Sequence, residues 1–476
     1  MTPAAVPKNW DHEADIIVVG GGTAGLPASV IAAEAGLKTT LLESRPAVGG
    51  SFNMVVGGFV VPGSDEQKAQ GIVDDGPDLF YNDLTTICGA QPDIARSYAD
   101  NVLDSYKMLK EEGIIFPGMI DLPRHSRRRT MGWLLGYGPK MVKATEGRAK
   151  RVGVEILLKH RANRLITDPQ TGRVIGLTVE VGGEMKNFKA NRAVIITSGG
   201  FGRNKDIIAD YSPEMVNCVP KMPVGHMGDG FKMGLDVGAA TKDMGIAVAG
   251  SWPICIETHS ECIWALDWGG IMVNVNGKRF HDESSSEGFY GRMTEAAMRQ
   301  PGNVYWVLFD EDIMNNIGTC AVEGEISRNM EHVKDVEKCK RTFADNLDDL
   351  AEKIGVDAAG LKESVEKYNS DVDKFGYDTV CGRKHQMGEA RPLVKIKPPY
   401  IAIKCVTCTT SMKGGLKMNG KGQVLNNYGD VIPGLYAGGE VAGGLHTKTY
   451  LLGIMSSAAY TQGIIAARNA IKEPSS

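Results

Sequence analysis

The stretch Asp15-Ile-Ile-Val-Val-Gly-Gly-Gly-Thr-Ala-Gly25, continued through Leu26–Ala35 to Thr39-Thr-Leu-Leu-Glu43, decides the fold. Asp15–Val19 is a short apolar run of strand type, Leu26–Ala35 reads as a helix, and Thr39–Leu42 reads as a second strand ending on Glu43. Gly20, Gly22 and Gly25 stand between strand and helix in the order G-x-G-x-x-G, with Thr23 and Ala24 filling the interval. The first glycine permits a tight turn, the second lets the backbone approach a pyrophosphate, and the third lets the helix pack closely on the strand. The helix N-terminus then offers unpaired N–H groups and a positive dipole end to phosphate. Glu43, followed by Ser44, is placed to accept hydrogen bonds from ribose hydroxyls. The pattern predicts a dinucleotide-binding fold; alone it does not separate a flavin from a nicotinamide.

Further glycine clusters extend the cradle. Gly49-Gly50-Ser51 follows the second strand, and Gly57-Gly58 comes soon after. Ala193–Thr197 is another buried-strand run, ending in Ser198-Gly199-Gly200-Phe201-Gly202. Near the C-terminus Leu435–Ala437 is a strand, Gly438, Gly439 and Glu440 a turn, and Gly453-Ile454 opens a closing helix that runs to Ala470. The nucleotide fold is therefore completed by the end of the chain, and the long middle segment is an insertion.

At 476 residues the chain is too long for one core, so two or three domains are expected. A hydrophobic fraction of 42% and a charged fraction of 23% suit a soluble enzyme, and the net charge of -4 gives no footprint for nucleic acid or acidic membranes. The basic run Arg127-Arg128-Arg129 reads as a solvated loop or a set of ion pairs. Nine cysteines are scattered; Cys405 and Cys408 make the C-x-x-C pair, with no second pair to complete a metal set, and they read as reduced buried thiols. No metal site is expected. The N-terminus lacks a basic region with an apolar stretch, and no apolar run is long enough to span a bilayer, so the protein is expected to be cytoplasmic.

The stretches VVGGGTAG, LLES…GGS, VIITSGGFGRNK, GHMGDGFKMGLDVGA, GGIMVNVNGKRFHDES, MKGGLKMNGKGQVL and PGLYAGGEVAGGLH cover nearly the whole chain. In that order they resemble the fumarate reductase/succinate dehydrogenase flavoprotein superfamily. The resemblance implies an α/β architecture: a split, Rossmann-like FAD-binding domain of glutathione-reductase type (residues 1–221 and 396–476) with an inserted α+β cap domain (222–395). It implies hydride transfer between the flavin and a carbon next to an activating group. It places Gly20, Gly22, Thr23, Ala24, Gly25, Glu43, Ser44, Gly49, Gly50, Ser51, Gly57, Gly58, Ser198, Gly199, Gly200, Asp229, Gly439, Glu440, Gly453 and Ile454 around FAD, with Glu440 and the Gly438-Gly439 backbone at the ribityl chain and ring.

The chain also departs from the dicarboxylate pattern. Ser51 stands where succinate dehydrogenases tether FAD through a His, so non-covalent FAD is expected. Thr410-Ser-Met-Lys-Gly-Gly415 lacks the His that grips a substrate carboxylate. Tyr450 stands where the family has a carboxylate-binding Arg, and Glu287 falls near the position of its proton-donating Arg. A Tyr or Glu cannot imitate the bidentate Arg fork. A Tyr at 450 is similar instead to the 3-ketosteroid dehydrogenase branch, where a Tyr polarises a ketone.

The expectation is therefore a dehydrogenase that places an α,β double bond in a cyclic ketone or 3-ketosteroid-like substrate, or an enone/enoate reductase running the reverse reaction. Tyr450 is the oxyanion donor; Glu287 or Tyr290 is the base. Trp133 and Tyr137, in TMGWLLGYG, can wall an apolar pocket or belong to ordinary core. His446 and Leu452, flanking Tyr450, are further pocket candidates, and a satisfied core histidine is the other reading of His446. The expected partners are a small apolar ketone and an external electron acceptor or donor.

Overall fold

The computed structural model describes residues 4–54, 58–116, 118–120, 124–131, 137–245, 247–253, 265–266, 268–284, 292–317, 341–386, 391–448 and 450–475, with backbone alone at 120, 247–253, 292 and 317. Glu287, Tyr290, Trp133 and Gly57 lie outside these residues.

The chain divides into two compact units. The first comprises Met1–Val216, Met222–Ala247 and Ser411–Ser476; the second comprises Asn217–Lys221 and Val248–Thr410. In the first unit the strand His12–Val19 lies at the centre of an eight-stranded sheet, between Thr39–Glu43 and Glu184–Ile196 and parallel to both. Val431–Ala437 adds in parallel beyond Glu184–Ile196, with Leu435 opposite Val194, so the end of the chain does complete the N-terminal sheet. Alternation along the first strand feeds two cores. Ile16 and Val18 pack with Leu26, Val30 and Tyr460 on one face, while Ile17 and Val19 pack with Phe201, Phe231 and Leu435 on the other. Burial on both faces is why these strands read as unbroken apolar runs.

The C-terminal helix, Ile454–Ala470, is buried along most of its length against the helices Gly25–Glu34 and Pro92–Glu111. A Cβ on Gly463 would lie 2.0 Å from the Ala24 carbonyl oxygen, so glycine at 463 is what lets this helix reach the cofactor loop. Arg129, fully buried, is held by Asp75 at 2.8 Å and Asp83 at 2.6 Å, and Arg127 pairs with Asp74 at the surface. The basic run is thus a set of ion pairs.

The second unit has a mainly antiparallel six-stranded sheet on the long strand Tyr400–Met412, which takes Val304–Asp310 and Arg341–Ala344 as neighbours. The helices Leu347–Ile354 and Ala358–Phe375 pack on it. Arg279 bonds to Glu283 at 2.6 Å and Asp378 at 2.5 Å, all three buried, so the Arg279–Glu283 motif braces this unit. Cys405 and Cys408 are buried thiols outside any disulfide among the described residues.

The insertion differs in its bounds from the expected 222–395. Residues 222–247 stay with the first unit because the helix Asp229–Asp236 packs on the strand His160–Thr167 and Thr241–Lys242 pairs with Gly415–Leu416. Residues 396–410 join the second because Tyr400–Val406 pairs along Val304–Asp310.

Candidate active site

The glycine loop has the properties its spacing predicts. Gly20 has φ +104°, and a Cβ there would sit 2.6 Å from the Thr197 carbonyl oxygen. A Cβ on Gly25 would lie 1.8 Å from the Gly20 carbonyl oxygen. Gly22, by contrast, faces open space with nothing within 4 Å of a built Cβ. Two glycines are therefore fixed by the fold, and the middle one faces away from the protein's packed atoms. The helix that follows has no acidic residue in its first turn, which leaves its positive end for an anion. The Gly49 N–H donates to the Gly21 carbonyl oxygen at 2.7 Å, bringing the Gly49-Gly50 turn against the same loop. Glu43 clamps it from below. Its Oε2 accepts the Gly21 N–H at 2.9 Å, and its Oε1 accepts the Arg45 N–H at 2.8 Å and the Ser44 hydroxyl at 3.3 Å.

The second half of the cradle is built around Glu440. A Cβ on Gly200 would meet the Glu440 carboxylate at 2.7 Å, and one on Gly199 would meet the His226 ring at 2.7 Å. Glu440 Oε1 accepts the Met412 N–H at 2.8 Å, and Oε2 lies 3.5 Å from His226 Nδ1. His226 Nε2 is in turn 3.1 Å from the Ser51 hydroxyl. Ser51, buried His226 and Glu440 thus line up across three segments, with a hydrogen bond on the Ser51 side and a 3.5 Å approach on the Glu440 side. Gly439 approaches Ala24, with its N–H held by Gln462 Oε1 at 2.9 Å. Among the described residues the buried Ser198 hydroxyl has no hydrogen-bond partner. Gly58 is buried at the start of the strand Phe59–Val60. Asp229 is engaged otherwise: Arg161 binds its carboxylate at 2.8 and 3.0 Å. The open face at Gly22, the acid-free helix end and the locked Glu440 turn fit FAD.

Beyond this cradle lies a second cluster, centred on Tyr450. Burial holds its phenol well above its ordinary pKa, while the Gly453 N–H, at the start of the C-terminal helix, donates to its oxygen and pulls the other way. His446 packs on Tyr450 with ring centroids 5.4 Å apart, and the Lys413 ammonium stands 5.8 Å from the Tyr450 ring centroid. Lys413 is the residue after Met412, so the strand end that Glu440 grips also delivers this amine. Burial lowers Lys413 to about 8 and His446 to about 3. The Leu452 carbonyl oxygen is 2.8 Å from His125 Nε2.

Tyr137 is elsewhere, buried in the apolar core with its ring 6.3 Å from that of Phe116. Its placement is that of core. The sequence reading singled out neither His226 nor Lys413. His226 is visible only as the first non-glycine of GHMGDG, and Lys413 only as a charge inside a glycine-flanked turn.

These features are those of a dinucleotide-binding protein that also carries a buried cluster at Lys413, His446 and Tyr450. The chain belongs to the FAD binding domain family, whose model matches residues 15–454. It is 28% identical over 486 residues to the probable fumarate reductase Ifc3 of Shewanella frigidimarina (strain NCIMB 400), across 98% of this chain and 76% of the relative. Among solved structures it is similar to the open conformation of a flavocytochrome c3 fumarate reductase. There the TM-score is 0.83 with 26% identity, covering 98% of this chain and 79% of that one. It also shares the fold of 3-ketosteroid-Δ4-(5α)-dehydrogenase from Rhodococcus jostii RHA1, with TM-score 0.76 and 23% identity over 99% and 100% of the two chains. The protein is an FAD-dependent oxidoreductase. Among the described residues no helix is long and apolar enough to cross a membrane, and no cluster of acids, His and Cys could hold a metal ion.

Proposed function

We propose that the enzyme dehydrogenates a cyclic, 3-ketosteroid-like ketone to its α,β-unsaturated counterpart, with Tyr450 as the donor to the ketone oxygen. The observation that carries this is the phenol at the start of the C-terminal helix. Its raised pKa keeps it protonated across the working range, and an oxygen that accepts from a backbone N–H donates more strongly through its own O–H. Removing a hydride from the β-carbon is hard unless the α-proton leaves too, and the enolate that develops needs a donor aimed at its oxygen. Glu287 or Tyr290 takes the α-proton. FAD, when bound, supplies the two-electron sink for the β-hydride. An external acceptor then removes the electrons, and a small apolar ketone is the partner this chemistry requires. Among the described residues Cys88, Cys218, Cys381, Cys405 and Cys408 form no disulfide, which suits a reducing compartment, and we place the protein in the cytoplasm.

A second reading has its own support: the likeness to fumarate reductases favours the reverse reaction, reduction of an enone or enoate. The same Tyr450 serves both directions. Comparing rates with reduced viologen and with a quinone-like dye separates them. The faster partner marks the direction the enzyme favours, and turnover of no ketone or enone with either would overturn the ketone reading.

Ser51, bonded to His226, stands at the expected tethering position, and we expect FAD to be held without a covalent link. Acid precipitation should therefore leave intact FAD in the supernatant. Flavin retained in the pellet would contradict this and direct attention to His226, the imidazole beside Ser51.

A further inference from the structure

Lys413 is 6% exposed and His446 4% exposed. Burying a charged amine without a counter-charge is costly, so such groups pair or lose their proton. Among the described residues Lys413 has no carboxylate within ion-pair distance, and its close neighbour is the Tyr450 ring. Asp243 is the carboxylate whose field it feels, but that group is engaged: its Oδ2 accepts the Gly444 N–H at 2.9 Å and the Thr447 hydroxyl at 3.1 Å, and Lys242 stands 3.6 Å from its Oδ1. Among the described residues His446 has no hydrogen-bond partner at either ring nitrogen. Cys88, the remaining titratable neighbour, is pushed up to about 12 by burial and is a neutral thiol. Among the described residues the cluster is therefore an amine with no carboxylate in ion-pair contact, an imidazole without a hydrogen-bond partner and a phenol.

We propose that Lys413, His446 and Tyr450 form a binding site for a single oxyanion borne on an otherwise apolar ligand, with Lys413 as its charge partner. This rests on the proposed ketone chemistry and deepens it. The oxyanion is the enolate oxygen of the reacting ketone, for which a phenolate is the stable analogue. A monocarboxylate would satisfy the same groups. Tyr450 donates through its hydroxyl, neutral His446 through its one N–H, and Lys413 through its ammonium. An anion here repays the desolvation that lowers Lys413, so the ligand and the proton on Lys413 stabilise each other.

The test is calorimetric titration of the FAD-loaded enzyme with a nitrophenol ionised at neutral pH, with cresol as the neutral match and benzoate as the carboxylate arm. The nitrophenolate should bind roughly 10- to 100-fold more tightly than cresol, the range of a hydrogen bond to a charged partner. That preference should fall as the pH rises through about 8, where Lys413 loses its proton. Lys413→Met should abolish both the preference and its pH dependence while leaving cresol affinity unchanged, which a merely misfolded variant would not do; Lys413→Gln should behave alike. Benzoate binding as tightly as the nitrophenolate would assign the oxyanion to a carboxylate and overturn the enolate assignment. Equal affinity for nitrophenolate and cresol in the wild type, or a preference that survives Lys413→Met, overturns the site itself. Phenolate binding without turnover of any ketone would fault the proposed function and leave the site standing.

Discussion

Tyr450→Phe lowers turnover on the best ketone by on the order of a hundredfold or more, the usual cost of losing one donor aimed at a developing oxyanion. The substitution removes the hydroxyl and keeps the ring, so the contact with His446 and the Lys413 amine over the ring both survive. Flavin content should be unchanged, because the contacts that shape the glycine cradle and the Glu440 turn come from Gly20, Thr197, His226 and the Met412 N–H. The loss should fall on kcat more than on KM, since the bond strengthens as the enolate forms. Steady-state kinetics with an artificial acceptor check this. A variant with full flavin and near-normal turnover would remove Tyr450 from the mechanism.

The glycine loop gives the second large effect, and it divides by position. Gly25→Ala places a methyl group 1.8 Å from the Gly20 carbonyl oxygen and 2.6 Å from Thr197 Oγ1, so backbone must move in the centre of the sheet. We expect a loss above about 4 kcal/mol, enough to prevent accumulation of folded protein. Gly22→Ala meets no protein atom, so the apoprotein should melt as the wild type does. Yet this is the position where a pyrophosphate approaches the backbone. A methyl group there should weaken FAD by roughly 10- to 100-fold, the cost of about 1–3 kcal/mol of overpacking. Thermal melts and flavin titration of the two variants separate fold from cofactor. A Gly22→Ala protein that binds FAD normally would place the pyrophosphate elsewhere.

The cradle was legible because its requirements are local. A tight turn, a close backbone approach and a helix start each demand glycine at a fixed spacing, and Gly20, Gly22 and Gly25 meet those demands within a few residues. The apolar runs at Asp15–Val19 and Ala193–Thr197 were legible because strands buried on both faces carry no polar interruption. The insertion bounds were not, because residues 222–247 belong to the first unit through packing on His160–Thr167, a contact between segments far apart in the chain. Tyr137 was ambiguous for a different reason: an aromatic in an apolar loop has the same composition whether it lines a pocket or fills a core. Lys413 and His226 were hidden because what marks them is tertiary. A lysine in a turn looks solvated until the fold removes its water and supplies no carboxylate, and a histidine looks ordinary until Ser51 and Glu440 arrive on either side of it. Glu43 was assigned to a ribose on spacing, and the structure adds a second task, holding the Gly21 N–H and so the shape of the loop itself.

The most direct test of the account is anaerobic mixing of the oxidised FAD-loaded enzyme with a panel of saturated cyclic ketones and 3-ketosteroids, and separately with succinate, while following flavin absorbance. The arrangement of Tyr450, Lys413 and His446, with no arginine fork for a dicarboxylate among them, predicts bleaching by at least one ketone and none by succinate. Rapid bleaching by succinate, or rapid reoxidation of the reduced enzyme by fumarate, with every ketone inert, would contradict it.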